Sequence, residues 1–510
     1  MHTNITDFFK GRKVIVVGLG KSGISVIRKL SLIAGEVSAI DNNPLIDVEP
    51  QLEFVKERKD FKLNLILDEQ VNENTKILDG AALVILSPGV SANVGIISGA
   101  EERKIPVWSE LEFGWQLLSE AQKKNTIAVT GTNGKTTVVS LMQKVFNDCG
   151  LESIVCGNIG NPLTDTIDTE GIPGQDFSAE KLIRIIEVSS FQLEKIKDFK
   201  PFASIILNIT SDHIDRHFSM EKYADLKFKI FFNAAAGDWG ILNIDNEYVK
   251  EGLNKRNDFR DRGLNIIKYS LYDNPDAQIF LRKSKIFYDI NSTSGSIDIS
   301  GIRLLGPHNI SNVMSAIGAA KIYGLKDREI ETSLNRFTPL EHRIEFVAEI
   351  NGIRVYNDSK ATNPDATIKA LESFGRQVTL ILGGKDKDMD FTVLLPALQA
   401  KVLNLILIGE TKQKILNILN TGRQNLPKGE KTAGEKTAGN KTAVNKTAEE
   451  KLKYKVIVCD TLQEAVDKGL EVTESGNIFL FSPACASFDM FKDYKDRGKK
   501  FKKSVLDKAR

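Results

Sequence analysis

Three times along the chain a short run of Val, Ile and Leu leads into a glycine-rich turn and then a helix-like stretch. The segments are KVIVVGLGKSGISVIRKL (13–30), NTIAVTGTNGKTTVVSLMQKVF (125–146) and QVTLILGGKDKD (377–388). A continuous apolar run suits a strand buried on both faces of a parallel sheet, with helices packed on each side. The pattern restarts instead of extending one long sheet, which predicts an α/β protein of three domains: 1–112, 113–339 and 340–510.

Composition narrows the class. The 510 residues are 41% hydrophobic and 27% charged, enough apolar material for substantial cores. A formal net charge of +2 argues against a protein that coats a polyanion, so no nucleic-acid partner is expected. Cys149, Cys156, Cys459 and Cys485 form no CxxC pair and no disulfide framework. The opening MHTNITDFFKGRK has no apolar signal core, and no segment approaches the roughly 20 apolar residues of a membrane helix. A cytoplasmic protein without membrane insertion is the expectation. Residues 431–450 read KTAGE, KTAGN, KTAVN and KTAEE, repeats with no apolar periodicity. They predict a solvated insertion protruding from the third domain.

The chemistry-bearing residues cluster behind the apolar runs. Gly131, Thr132, Asn133, Gly134, Lys135, Thr136 and Thr137 stand between a strand and a helix. Such a turn points backbone N–H groups at phosphate oxygens, with Lys135 reaching the β- and γ-phosphates and Thr136 available to Mg²⁺. The strict P-loop pattern has glycine where Val129 stands, so the generic motif is incomplete. GLGKSG (18–23) also follows a strand, and with Asp41 it suits either a dinucleotide or a UDP pyrophosphate. IIEVSSFQLE ends an apolar strand on Glu187, and ILNITSDHIDRH delivers His213 after another. A carboxylate and an imidazole beside a phosphate loop can serve Mg²⁺, although His213 can equally cap the next helix or lie on the surface.

Taken together, GTNGKTT (131–137), EVSSFQLE (187–194), NITSDHIDRH (208–217), GPHNISN (306–312), EHRIE (341–345) and NDSKATNP (357–364) resemble the Mur ligase family in that family's order. FSPACASFDMFKDYKDRG (481–498), LGGKDKDMDF (382–391) and LSPGV (86–90) are similar to the members that add D-glutamate to a UDP-muramoyl-alanine substrate. The resemblance implies a Rossmann-like UDP domain, a central ATPase domain and a C-terminal dinucleotide-fold domain for the amino acid. It implies ATP, two Mg²⁺ ions and a CO₂-derived lysine carbamate, with small-molecule substrates and a monomeric enzyme. By matching position, Thr136, Glu187, His213 and Lys227 surround the metals, Lys227 as the carbamate, with Lys229 a near neighbour. Asn309, His342, Arg343 and Asp358 fall on ATP-contacting positions and Lys360 on a catalytic one, alongside Lys135, His213 and Lys227. For the UDP substrate the matched residues are Gly20, Lys21, Ser22, Asn42, Asn43, Ser87, Gly89, Gly157 and Asn158. Asn42 and Asn43 stand where some members have threonine and arginine. For D-glutamate they are Thr362, Lys387, Ser487, Phe488 and Tyr494, with Lys387 fitting the spacing better than Lys385. Competing readings are another amino-acid ligase of the family, an NAD-dependent oxidoreductase and a non-catalytic nucleotide-binding scaffold.

Overall fold

The computed structural model describes residues 5–91, 94–167, 180–212, 219–256, 258–422 and 453–509. Among these residues the apolar runs become central strands of three separate sheets. In the first sheet, β1 (Lys13–Val17) lies between β2 (Glu36–Asp41) and β4 (Ala81–Leu86). β3 (Lys62–Leu67) and β5 (Val107–Ser109) form its edges, and every pairing is parallel.

The second sheet runs β7 (Ser153–Gly157), β8 (Ile183–Glu187), β6 (Thr126–Thr130), β9 (Ala203–Ile206), β10 (Trp239–Asn243), β11 (Asn265–Ser270) and β12 (Ile279–Arg282), all parallel. It then turns antiparallel through β13 (Lys285–Ile290) and β14 (Thr293–Asp298). Asn291 and Ser292 join that hairpin at φ +52° and +60°, the left-handed pair that a two-residue turn requires. In the third sheet β15 (Glu345–Ile350) is antiparallel to β16 (Ile353–Asn357). Beyond β16, parallel, come β20 (Ile478–Phe481), β17 (Val378–Leu382), β18 (Val402–Leu407) and β19 (Lys455–Val458).

Every residue of β6, β17 and β20 is buried, so these strands run apolar instead of alternating. Fully burying one Val, Leu or Ile side chain is worth about 1.5–3 kcal/mol, so these strands anchor their sheets. Parallel pairing also puts the turns that follow neighbouring strands at one edge of each sheet, where open α/β folds bind ligands.

Packing divides the chain into two compact units. The first holds the first and second sheets. Helix Glu110–Leu117 serves both, giving Leu111 and Trp115 to the second core and Phe113 to the first. The second unit holds the third sheet with the short segments Ser211–Asp212 and Arg303–Asn309. The repeats at 431–450 lie outside the described residues.

Candidate active site

The turn after β1 opens a cavity of about 580 Å³ in the first unit. Gly20, Lys21 and Ser22 line it, with Asn42 beyond β2, Ser87 and Gly89 beyond β4, Gly157 at the end of β7 and Asn158 just beyond it. Every residue assigned to the UDP substrate is therefore in its wall except Asn43. That side chain belongs to a local turn, where its Oδ1 accepts from Leu45 N at 3.1 Å, while the Asn43 backbone N–H donates to Asp41 Oδ1 at 2.9 Å. The glycines have steric reasons. Gly18 has φ +87°, and a Cβ there would meet Val90 Cγ2 at 2.7 Å; a Cβ on Gly23 would overlap the carbonyl oxygen of Gly18. Asp41 Oδ2 accepts from Leu19 N at 2.7 Å and Ser87 Oγ donates to the Gly18 carbonyl at 2.7 Å, fixing the turn from two neighbouring strands. Gly160 and Pro162 extend the wall beyond the first sheet, outside the reach of a lone dinucleotide turn.

The second turn is bound into its sheet more tightly. After β6 the chain passes through Gly131–Gly134 into helix α1 (Lys135–Asp148). Gly134 has φ +89°, and a Cβ would come within 2.5 Å of Asn312 Oδ1. Asn208, just beyond β9, straps the loop reciprocally: its Oδ1 accepts from Asn133 N at 2.8 Å and its Nδ2 donates to Asn133 O at 3.0 Å. Thr132 N donates to Asn208 O at 2.9 Å. Lys135 Nζ donates to the carbonyls of Gly131 and Thr132 at 2.6 and 2.9 Å, so its charge already lies over the loop. Thr136 and Thr137 are buried in the first turn of α1.

Glu187 connects this loop with the cavity. It ends β8, paired with Val129 on one side and Gly157 on the other. Its carboxylate is 3% exposed; Oε1 accepts from Asn158 Nδ2 at 2.9 Å, while Oε2 is buried with no hydrogen-bond partner. Leaving a buried carboxylate oxygen unmatched is costly, and a cation is the partner that such an atom fits. Lys227 lies on helix α2 (Met220–Phe228), 1% exposed, its Nζ 4.4 Å from the centre of the Tyr223 ring. Tyr223 in turn brings its hydroxyl to 3.4 Å from Thr132 Oγ1. Lys229, the near neighbour, is exposed. His213 lies outside the described residues.

In the second unit three loops leave the C-terminal ends of adjacent strands β16, β20 and β17. The first carries Asp358, Lys360 and Thr362, the second Ser487 and Phe488, the third Lys387. Burial pushes the Asp358 carboxyl up to about 7, against the hydrogen bond from Ser482 Oγ at 2.8 Å. Lys360 Nζ donates to the Tyr494 hydroxyl at 2.9 Å, directly joining two of the expected site residues. Ser487 is buried, Lys387 is exposed and Phe488 is 67% exposed. His342 adopts φ +66° and is buried with Nδ1 2.8 Å from Asn357 Nδ2; desolvation lowers its pKa. Arg343 follows it, half-buried, and Asn309 donates from Nδ2 to Leu305 O at 2.7 Å.

Two supporting residues lie within quoted motifs, but nothing local marks what they hold. Asn208 lies within a quoted motif, yet its strap on Asn133 spans 75 positions. Arg497, wholly buried, lies beneath the loops of the second unit.

The chain matches the "Mur ligase MurD-like, N-terminal domain" over residues 12–109, the "Mur ligase middle domain" over 129–320 and the "Mur ligase, glutamate ligase domain" over 342–485. The chain belongs to the Mur ligase family. Proteins named UDP-N-acetylmuramoylalanine–D-glutamate ligase resemble it along their length. That of Caldanaerobacter subterraneus subsp. tengcongensis is 38% identical over 509 residues, covering 98% of this chain and 99% of the relative. That of Thermoanaerobacter pseudethanolicus is 36% identical over 503 residues, with the same coverage. Among solved structures, MurF from Acinetobacter baumannii shares the fold at TM-score 0.55 and 12% identity, over 98% of this chain and 92% of that one. The UDP-N-acetylmuramate-alanine ligase from Thermotoga maritima does so at 0.53 and 17%, over 97% and 99%.

Proposed function

We propose that this chain ligates D-glutamate to UDP-N-acetylmuramoyl-L-alanine at the expense of ATP, in cytoplasmic peptidoglycan precursor synthesis. The observation that carries the chemical reading is Glu187. One carboxylate oxygen is tied to Asn158 of the cavity wall, the other is buried without a partner, and the strand it ends lies beside the one feeding the phosphate loop. An oxidoreductase reading of Gly18–Gly23 leaves that arrangement without a role.

We assign the UDP substrate to residues 1–112 with Gly157 and Asn158, ATP to 113–339, and the amino acid to 340–510. Lys135 and the N–H groups of 131–134 bind and orient the phosphates. The substrate carboxylate attacks the γ-phosphorus, the bond to ADP breaks, and an acyl phosphate forms. The amine of D-glutamate then attacks the acyl carbon, the C–O bond to phosphate breaks, and the nitrogen gives up a proton. Phosphorylation is needed because a carboxylate offers only oxide as a leaving group. The protein contributes alignment and charge neutralisation. Thr136, Glu187 and His213 would hold Mg²⁺, which when bound neutralises phosphoryl charge. We read Lys227 as the carbamylated lysine; its burial beside Tyr223 and Thr132 supports it over the exposed Lys229. In the second unit Asn309, His342, Arg343 and Asp358 contact the nucleotide, Lys360 the phosphates, and Thr362, Lys387, Ser487, Phe488 and Tyr494 the amino acid. Among the described residues no helix is long and apolar enough to cross a membrane, and we read the enzyme as a monomer.

The test is phosphate release from ATP and Mg²⁺ with UDP-N-acetylmuramoyl-L-alanine. It should depend on D-glutamate, with isotope-labelled bicarbonate marking Lys227. Release that ignores D-glutamate, or prefers another amino acid, overturns the assignment; label found only elsewhere overturns the carbamate.

A further inference from the structure

Arg497 lies in the first turn of helix α3 (Tyr494–Leu506), and its side chain is 1% exposed. Its guanidinium makes four hydrogen bonds. Nε donates to Ser359 Oγ at 3.1 Å and one terminal nitrogen to the Ser359 carbonyl at 2.8 Å. The other terminal nitrogen donates to the carbonyls of Cys485 and Ala486, each at 3.0 Å. The Ala486 carbonyl also accepts from Lys385 N at 2.9 Å, and a Cβ on Gly384 would meet the guanidinium at 3.2 Å. One buried side chain thus bonds the loops after β16 and β20, and the loop after β17 joins them through Lys385 N on the same Ala486 carbonyl. Ser359 immediately precedes Lys360, and Ala486 immediately precedes Ser487. Among the described residues no carboxylate lies within ion-pair distance of Arg497, so its bonds go to backbone and hydroxyl oxygens only. A neutral side chain or a lysine cannot reproduce a planar fork of four bonds to two loops.

We infer that Arg497 is a positioning residue for the amino-acid site, setting the spacing of Thr362 against Ser487. It need not touch the substrate. The inference rests on the assignment of D-glutamate to these loops, and D-glutamate-dependent phosphate release by the unaltered protein tests that assignment separately.

The experiment is steady-state kinetics of Arg497→Lys with each of the three substrates varied in turn. Lysine keeps the charge and loses the fork. KM for D-glutamate should rise roughly tenfold or more, the equivalent of one charge-assisted hydrogen bond, while KM for ATP and for the UDP substrate stays within about twofold. An unchanged D-glutamate KM overturns the inference. So does a parallel rise in all three KM values with a lower melting temperature, which marks a brace for the fold alone. Should the lysine variant fail to fold, Ser359→Ala decides. It removes the hydroxyl that Arg497 Nε reaches, and about a threefold rise confined to the D-glutamate KM is expected; no rise overturns the inference.

Discussion

The two glycine turns of the first unit share a plan and differ in what holds them. Both follow a buried strand, both need a glycine at positive φ, at Gly18 and at Gly134, and both open a helix. The turn at 18–23 faces a cavity of about 580 Å³ and is fixed by side chains of neighbouring strands, Asp41 and Ser87. The turn at 131–137 is strapped by Asn208 on one side, has Lys135 bent across its carbonyls, and lies beside a carboxylate with an unmatched oxygen. The first opens onto a cavity. The second brings a cation and an anion to the ends of adjacent strands. A strand–glycine–helix pattern therefore specifies phosphate recognition, and the side chains arriving from other strands decide whether chemistry follows.

The largest test of that contrast is Lys135→Ala. It removes the cation from the reactive turn and should cost about a thousandfold or more in kcat, the scale of losing a preorganised electrostatic group. On our assignment of UDP to the other turn, its binding there should stay within about twofold, because the described bonds of Lys135 go to its own loop. Titration of UDP against the variant, beside its turnover, reads both. Comparable losses in the two measurements would mean that the turns are not separable.

The sequence made one half of this contrast visible. Gly131–Thr137 and Glu187 were legible because each sits at the end of an apolar strand, where local order dictates position, whereas the cavity residues from Gly20 to Asn158 came from the family resemblance. Which of Asn42 and Asn43 enters the cavity was not legible: both follow β2, and the choice depends on a turn that uses the Asn43 side chain internally. The antiparallel extension through β13 and β14 also went unread, although KIFYDI alternates in burial and Asn291-Ser292 marks the turn. Straps and braces were hidden for another reason. Asn208 on Asn133, Arg497 on Ser359 and Glu110 on Thr164 are pairs separated by 75, 138 and 54 positions, and only the folded sheets bring them together. Asparagine, arginine and glutamate give no hint in isolation, since each is ordinarily a surface residue.

The smallest effect is expected where the cavity wall is braced. Glu110 is wholly buried and accepts from Thr164 N and Thr164 Oγ1 at 2.9 and 2.8 Å. Thr164 Oγ1 lies 2.5 Å from Ser25 Oγ, on the helix that Lys21 and Ser22 begin, and Thr164 closely follows Gly160 and Pro162 of the wall. Burial pushes the Glu110 carboxyl from 4.5 up to about 7, with Asp165 raising it further and the Thr164 bonds opposing. The strap on the reactive turn, by contrast, joins neutral amides and has nothing to titrate. For Glu110 the folded chain keeps a proton that the unfolded chain loses above pH 4.5. The stability from this group is therefore present at low pH and is lost as pH rises through about 7. The span is at most about 3.5 kcal/mol, at roughly 1.4 kcal/mol per pKa unit. Glu110→Gln keeps an accepting oxygen and cannot ionise, so it should flatten the fall in melting temperature between about pH 5 and 8 relative to the unaltered protein. The slope is the readout, because the new amide can shift absolute stability either way. Equal slopes in the two proteins would place the titration elsewhere and leave both turns equally indifferent to pH.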